Sequence, residues 1–280
     1  MNTHNKAPFL RRRLGRRLRS MRESAGMNLD QAAVRLDKKR SALHRIETGV
    51  TKADVHFVRS AMDLYDVYDP DLLDQTREAA KPLWFRAYGV TDLGYVDVET
   101  FATEVKEFPG LNLPGLLQTE TYIRALFGSG RRRRTRAELE NDVKVRRIRQ
   151  DRLLSEDNPL HLTAIIDEAA LRREVGGPHV MREQLSFMIE AAAFTTVTLQ
   201  ILTLANGAHS AMDGGFVLLD FPDPDDAEML YVEYTTGALH IENEKEVEAA
   251  SIKFEQLRSE ALSPTDSISL LERIDGELRG

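Results

Sequence analysis

The tightest constraint on this chain lies between residues 9 and 49, where three short helical patterns follow one another around a tight turn. Leu10, Leu14, Leu18 and Met21 recur at spacings of four, four and three, which is one apolar stripe along an amphipathic helix over 9–25. Gly26 stops it. Asn28 then offers an N-cap with Gln31 three residues on, a capping-box spacing that predicts a second helix through Leu36. Asp37-Lys38-Lys39 reads as a three-residue turn, and Asp is among the few non-glycine residues that tolerate the left-handed region. A third helix over 40–48 buries Ala42, Leu43 and Ile46 and ends at Gly49, a favoured residue just past a helix end. A fourth (53–65) and a fifth (70–80, with Pro70 in its first turn) complete a compact five-helix bundle.

Charge singles out the same region. Residues 1–52 hold 14 Lys/Arg against four acids, a balance of +10, although the whole chain carries −7, so the remaining residues carry −17. A basic head on an acidic body is the footprint expected for a polyanion partner, because phosphate contacts release counterions; a solvated basic helix is the plain alternative. Lys39 and Arg40 stand at a helix N-terminus, where the macrodipole disfavours cations. A chain that accepts that cost is expected to use the charges.

Beyond residue 82 the pattern changes. Residues 96–108, 119–127 and 136–154 read as helices, then strands are expected at 160–166, 196–202, 215–221 and 228–233, with a helix over 178–193 between the first two. Two helices close the chain. The first places Val247, Ala250, Phe254, Leu257 and Ala261 on one face, and the second opens with Ser263-Pro264 and Asp266, a cap, a pre-set φ and a dipole partner. The fold class is therefore mainly α with a second α+β domain, whose helices surround a mainly antiparallel sheet. The expected division is a DNA-binding domain over 1–82 and a second domain over 83–280.

Residues 22–49 resemble the XRE (lambda repressor-like) helix-turn-helix family in Arg22, Gly26, Met27, Ala33, Leu36, Leu43, Ile46, Glu47 and Gly49, all in register. Leu29, Ala32 and Asp37 depart from the family pattern. The resemblance implies that helix two crosses the DNA backbone while the start of helix three reaches base edges. It places Arg40, Ser41 and Arg45 on base-facing positions, flanked by Lys39 and His44; an arginine there can bond guanine O6 and N7 together. Asn28 and Thr48 fall where phosphates are met, and Arg22 with Glu47 matches an orienting ion pair between helices one and three. The arginines Arg11, Arg12, Arg13, Arg16, Arg17 and Arg19 surround helix one, with Arg16 the phosphate-contacting candidate and a solvated face the alternative.

The resemblance continues. Pro114-Gly115-Leu116-Leu117-Gln118 with Tyr122 looks like the signature of actinobacterial XRE regulators of the WhiJ type, whose C-terminal half is a domain of uncharacterised function. Arg149-Gln150, Asp167-Glu168, Arg172-Arg173 and Tyr231-Val232-Glu233 carry the likeness onward. Such regulators are often encoded beside a very small protein, which has led to an antitoxin-like label. The turn from Pro114 to Gln118, with Tyr122, is thus a candidate partner or ligand surface, or else a packed turn.

Nothing else forms a convincing catalytic set. His161, His179, His209 and His240 are scattered at no metal-ligand spacing and there is no cysteine, so no metal or cofactor is expected. His209, Ser210 and Asp213 share one loop, which is a poor frame for a triad. The run 131–134 with Arg136 reads as a solvated helix start. No apolar stretch approaches the ~20 residues needed to span a bilayer, and no secretory signal is apparent at the start. The expectation is a cytoplasmic, non-enzymatic regulator that binds an inverted repeat of double-stranded DNA as a homodimer and meets a small protein partner. The alternative is an antitoxin-like protein that chiefly sequesters that partner and uses DNA binding for autoregulation.

Overall fold

The computed structural model describes residues 7–90, 94–129, 134–223 and 226–279. They fall into two compact units, one running to Arg86 and taking up 94–98, the other comprising Ala87–Val90 and everything from Glu99 onward.

The first unit is the helical bundle, α1 (Phe9–Ser24), α2 (Leu29–Arg35), α3 (Arg40–Glu47), α4 (Val55–Tyr65) and α5 (Pro70–Ala80). Local chemistry sets each boundary. Asn28 Oδ1 accepts from the Gln31 N–H and Gln31 Oε1 accepts from the Asn28 N–H, both at 2.9 Å, so the capping box closes in both directions. Asp37 sits in the left-handed region at φ 51°, and the Lys38 N–H donates to the Ala33 carbonyl at 2.9 Å to end α2. Asp54 and Asp69 cap α4 and α5. Leu14, Leu18, Ala32, Ala33, Leu43, Val58 and Leu72 form one buried core. The short α6 (Tyr95–Glu99) supplies Asp97, whose fully buried carboxylate accepts from the Phe9 N–H at 2.7 Å. Burial pushes that carboxyl above the usual range, and the helix N-terminus is where a carboxylate is best placed to bear it.

The second unit is built from β1 (Glu104–Phe108), α7 (Glu120–Ser129), α8 (Arg136–Gln150), β2 (His161–Asp167), α9 (Glu168–Leu171), α10 (Pro178–Ala191), β3 (Val197–Leu202), β4 (Phe216–Asp220), β5 (Met229–Tyr234), β6 (Gly237–Ile241), α11 (Glu244–Glu260) and α12 (Pro264–Glu277). Its sheet has the order β3-β2-β1-β4-β5-β6. The β1–β2 and β2–β3 pairs are parallel and the other three antiparallel, so the sheet is mixed. The two parallel steps are the ones that carry helical crossovers, as they must. Phe254, Leu257 and Val247 of α11 pack with Phe108, Ile165, Phe216 and Leu218 of the sheet. Leu270, Leu271 and Ile274 of α12 are buried, and Ser267 Oγ accepts from the Ile201 N–H at 3.0 Å. Both terminal stripes are therefore spent inside the unit.

Two elements differ from the expected pattern. Residues 96–108 do not form one helix: α6 stops at Glu99 and 104–108 become β1, a central strand. The sequence Glu-Val-Lys-Glu-Phe has helix-forming residues, but pairing with β2 on one side and β4 on the other overrides that weak preference. β6 was absent from the expected strands. It pairs back on β5 across Thr235-Thr236, with Tyr234 opposite Gly237, a two-residue hairpin without the Asn-Gly or Asp-Gly signal. The expected helix over 136–154 is α8 followed by a 3₁₀ turn at Asp151–Leu154. Among the described residues no helix is long and apolar enough to cross a membrane.

Candidate nucleic-acid interface

The third helix has two faces. Leu43, Ile46 and Glu47 are buried, whereas Arg40, Ser41, His44 and Arg45 are exposed, with Lys39 exposed at the N-cap. The spacing puts the exposed four in a stripe of two adjacent turns, opposite the core. These are the five residues expected to meet bases, and the fold brings them to one surface that runs from the N-cap of α3 to its last turn. Arg40 Nε approaches Asp30 of α2 at 3.3 Å across the turn.

Buried contacts hold α3 against α1. Arg22 donates to Glu47 twice through one edge, Nε to Oε1 at 2.7 Å and Nη2 to Oε2 at 2.9 Å, and Nη1 donates to the Met27 carbonyl at 2.8 Å. The side chains are 7% and 3% exposed. The bond to Glu47 raises the Arg22 pKa further above its ordinary value, so the pair stays charged.

Two glycines that the sequence reading did not place in the interface make this crossing possible. A methyl on Gly15 would stand 2.7 Å from the Ile46 carbonyl oxygen and closer still to that of Glu47. Gly49 adopts φ 74°, and a methyl there would meet the Arg12 backbone N at 2.7 Å. The first turn beyond α3 thus lies directly on the backbone of α1. Gly15→Ala is expected to destabilise the first unit by about 1–3 kcal/mol by prising the helices apart, despite alanine's better helix propensity. Thermal unfolding checks it, and an unchanged or raised midpoint would refute the close-approach account.

Other site residues are placed as follows. Asn28 is exposed at the amino end of α2, and its cap uses only Oδ1. Thr48 is the C-cap of α3 and its hydroxyl donates back to the His44 carbonyl at 2.8 Å. Arg16 is half-buried on α1. Three of its neighbours do structural work: Arg17 pairs with Asp69 at 2.6 Å, Arg11 reaches the Ala79 carbonyl at 3.4 Å, and Arg12 is buried with Nη1 on the Ala7 carbonyl at 3.2 Å, whereas Arg19 stays exposed in a local pair with Glu23 at 2.8 Å. Much of the basic cluster is therefore neither solvated nor offered outward. Composition carries no signal that separates these arginines, because their partners lie up to 68 residues away.

In the second unit the candidate surface from Pro114 to Gln118 is mostly interior. Leu116, Leu117, Gln118 and Tyr122 are almost fully buried and Pro114 is buried, with only Gly115 partly open. Gln118 Nε2 donates to the Leu113 carbonyl at 2.8 Å, its Oε1 accepts from Arg146, and Gln184 ties the Leu117 carbonyl and the Thr119 N–H from α10. A turn whose backbone groups and side chains satisfy one another inside the fold fits the packed-turn alternative better than a partner or ligand surface. Beside it, Arg149 grips Glu99 with two 2.6 Å bonds. Burial lowers the Arg146 pKa to about 10 and pushes Glu107 up to about 7, a shift that the Arg149 charge opposes.

The loop histidine meets a different acid from the one its sequence neighbours suggest. His209 Nε2 faces Asp167 at 3.5 Å and its Nδ1 accepts from the Ala211 N–H at 3.3 Å, while Asp213 faces Lys253 at 3.4 Å. His209, Ser210 and Asp213 do not assemble as a triad. Arg134 pairs with Asp142 at 2.6 Å and lies 4.2 Å from the Phe127 ring centroid; 131–133 lie outside the described residues.

A capped helix, a three-residue turn and a second helix locked against α1 with its exposed face outward define a helix-turn-helix protein of the DNA-binding class. Residues 13–76 match the family described as helix-turn-helix domain. Residues 93–273 match the family described as domain of unknown function (DUF5753), and the chain belongs to that family. No curated protein and no solved structure matches it significantly.

Proposed function

We propose that the chain is a sequence-specific transcriptional regulator of the XRE type, with a DNA-binding domain over 1–82 and a regulatory domain over 83–280. The helix-turn-helix is a binding element, so no chemistry is required of it. The observation that carries the reading is the exposed Lys39, Arg40, Ser41, His44 and Arg45 face of α3, opposite the buried Leu43 and Ile46 and anchored through Glu47. An arginine and a serine at the amino end of a helix held at fixed angle are what base reading in the major groove needs. Asn28, Thr48 and Arg16 are assigned to phosphates, which position the helix without specifying sequence. Two copies about one DNA turn apart (~34 Å) would suit an inverted repeat, and the acidic second domain receives the signal from a small protein partner.

The full-length protein should select a defined site from a library of genomic fragments, with affinity falling as salt rises. Arg40→Ala should weaken that site roughly tenfold to hundredfold while leaving non-specific binding nearly as it was, since a bidentate base contact is worth about 1–3 kcal/mol. Equal binding of all fragments by the wild type would remove the proposal.

A further inference from the structure

We infer that Asp30 is a specificity-determining residue, a carboxylate on α2 that aims the Arg40 guanidinium at a guanine. The inference rests on the DNA-reading proposal and deepens it. Asp30 Oδ1 lies 3.3 Å from Arg40 Nε, and both side chains are well exposed, at 71% and 66%. Exposed ion pairs add at most about 1 kcal/mol to stability, so this one does little for the fold. Its geometry fits a different task.

A guanidinium has five N–H donors in a rigid fork. Asp30 meets it at Nε, and a carboxylate held at that atom leaves the Nη1–Nη2 edge for a base. That edge is the pair of donors that matches guanine O6 and N7. An unrestrained arginine at the first position of a helix samples many rotamers and loses about 2 kcal/mol of side-chain freedom when fixed. The anchors are firm at both ends. Asp30 lies in the first turn of α2, one residue inside the closed capping box of Asn28 and Gln31, and Arg40 opens α3 straight after the turn set by Asp37. The carboxylate also offsets the unfavourable placing of a cation at the start of α3.

A second effect has the opposite sign. A carboxylate beside the DNA repels phosphates, so Asp30 lowers affinity for every sequence while favouring the register in which Arg40 meets its base. Specificity built from attraction and repulsion together is a difference of affinities. Asp30 therefore trades overall binding for discrimination.

The test uses full-length protein and a randomised double-stranded DNA library, with base preference read position by position. The position read by Arg40 is the one whose preference Arg40→Ala erases. Asp30→Asn should bind all sequences as tightly as the wild type or more so, yet its guanine preference at that position should fall roughly 3- to 10-fold, with other positions unchanged. Asp30→Glu should restore most of the preference, and Asp30→Asn in the Arg40→Ala background should change no base preference. The unfolding midpoint should move little, which separates aiming from folding. Unchanged guanine preference in Asp30→Asn, beside a selective wild type, overturns the inference and leaves the regulator proposal standing. A selective wild type that keeps all its preferences in Arg40→Ala overturns it too, and a wild type with no preference overturns both.

Discussion

Glu47→Ala should lower the stability of the first unit by about 3–5 kcal/mol, the penalty for leaving one partner of a buried ion pair uncompensated. The Arg22 guanidinium would keep the Met27 carbonyl at 2.8 Å and a distant Glu23 at 3.4 Å, with almost no access to water. A domain stable by only about 5–15 kcal/mol cannot absorb that without a large shift, and the midpoint of a bundle this size should fall by roughly 15–30 °C. Specific DNA binding should vanish at temperatures where the second unit still unfolds with its own transition. Replacing both partners with apolar residues of similar volume, Arg22→Met with Glu47→Leu, should recover most of the lost stability, because buried pairs add little net energy. If that double variant folds but reads DNA poorly, the pair's role is to set the angle of α3. A loss below 1 kcal/mol for Glu47→Ala would show the pair to be wet and the orienting argument unfounded.

Arg149→Ala should have a comparable effect on the second unit, also about 3–5 kcal/mol. Glu99 is almost fully buried and both its oxygens accept from Arg149. The variant should also change how stability depends on pH. Burial raises Glu107 from its ordinary 4.5 to about 7, so its contribution is complete below pH 4.5 and fades as pH climbs toward 7. Arg149 opposes that rise. Without it the Glu107 carboxyl should titrate higher still, and the fade should extend above pH 7. Urea unfolding of wild type and variant at pH 5 and pH 8 measures this: the gap between them should be wider at pH 8. A gap that narrows as pH rises would mean that Arg149 does not act on Glu107.

Much of the first unit was legible because its signals are local. A stripe at spacings of four and three, an Asn-to-Gln cap and an aspartate at a turn each act within one helical turn, so reading them requires no partner elsewhere. The five helices lie close to where the periodicity placed them, and the exposed stripe from Lys39 to Arg45 follows from which residues of α3 are apolar. The resemblance paired Arg22 with Glu47, and the structure joins them through two bonds.

The second unit shows where local reading fails. β1 has helix-forming residues and becomes a strand because β2, whose paired residues lie 57 positions further on, and β4, whose paired residues lie 108 to 116 positions further on, supply its hydrogen bonds. β6 follows a turn whose two central residues, Thr235 and Thr236, carry neither Asn nor Gly, so the Gly237 that opens the strand is a weak signal on its own. The turn from Pro114 to Gln118 shows a motif but not a side, and only the packing of Gln118, Arg146 and Gln184 turns it inward.

Sequence by itself determined the class of the amino-terminal bundle, the caps and turn that set α2 and α3, and the side of α3 that faces outward. Tertiary structure alone decided which arginines of α1 are committed to internal partners, that Gly15 and Gly49 admit the backbone of one helix to another, and that Asp30 stands beside Arg40. The physical reason is range. Periodicity and capping energies act between residues three or four apart and are written in the chain, whereas burial of a charge, close backbone approach and strand pairing depend on partners that only folding brings together.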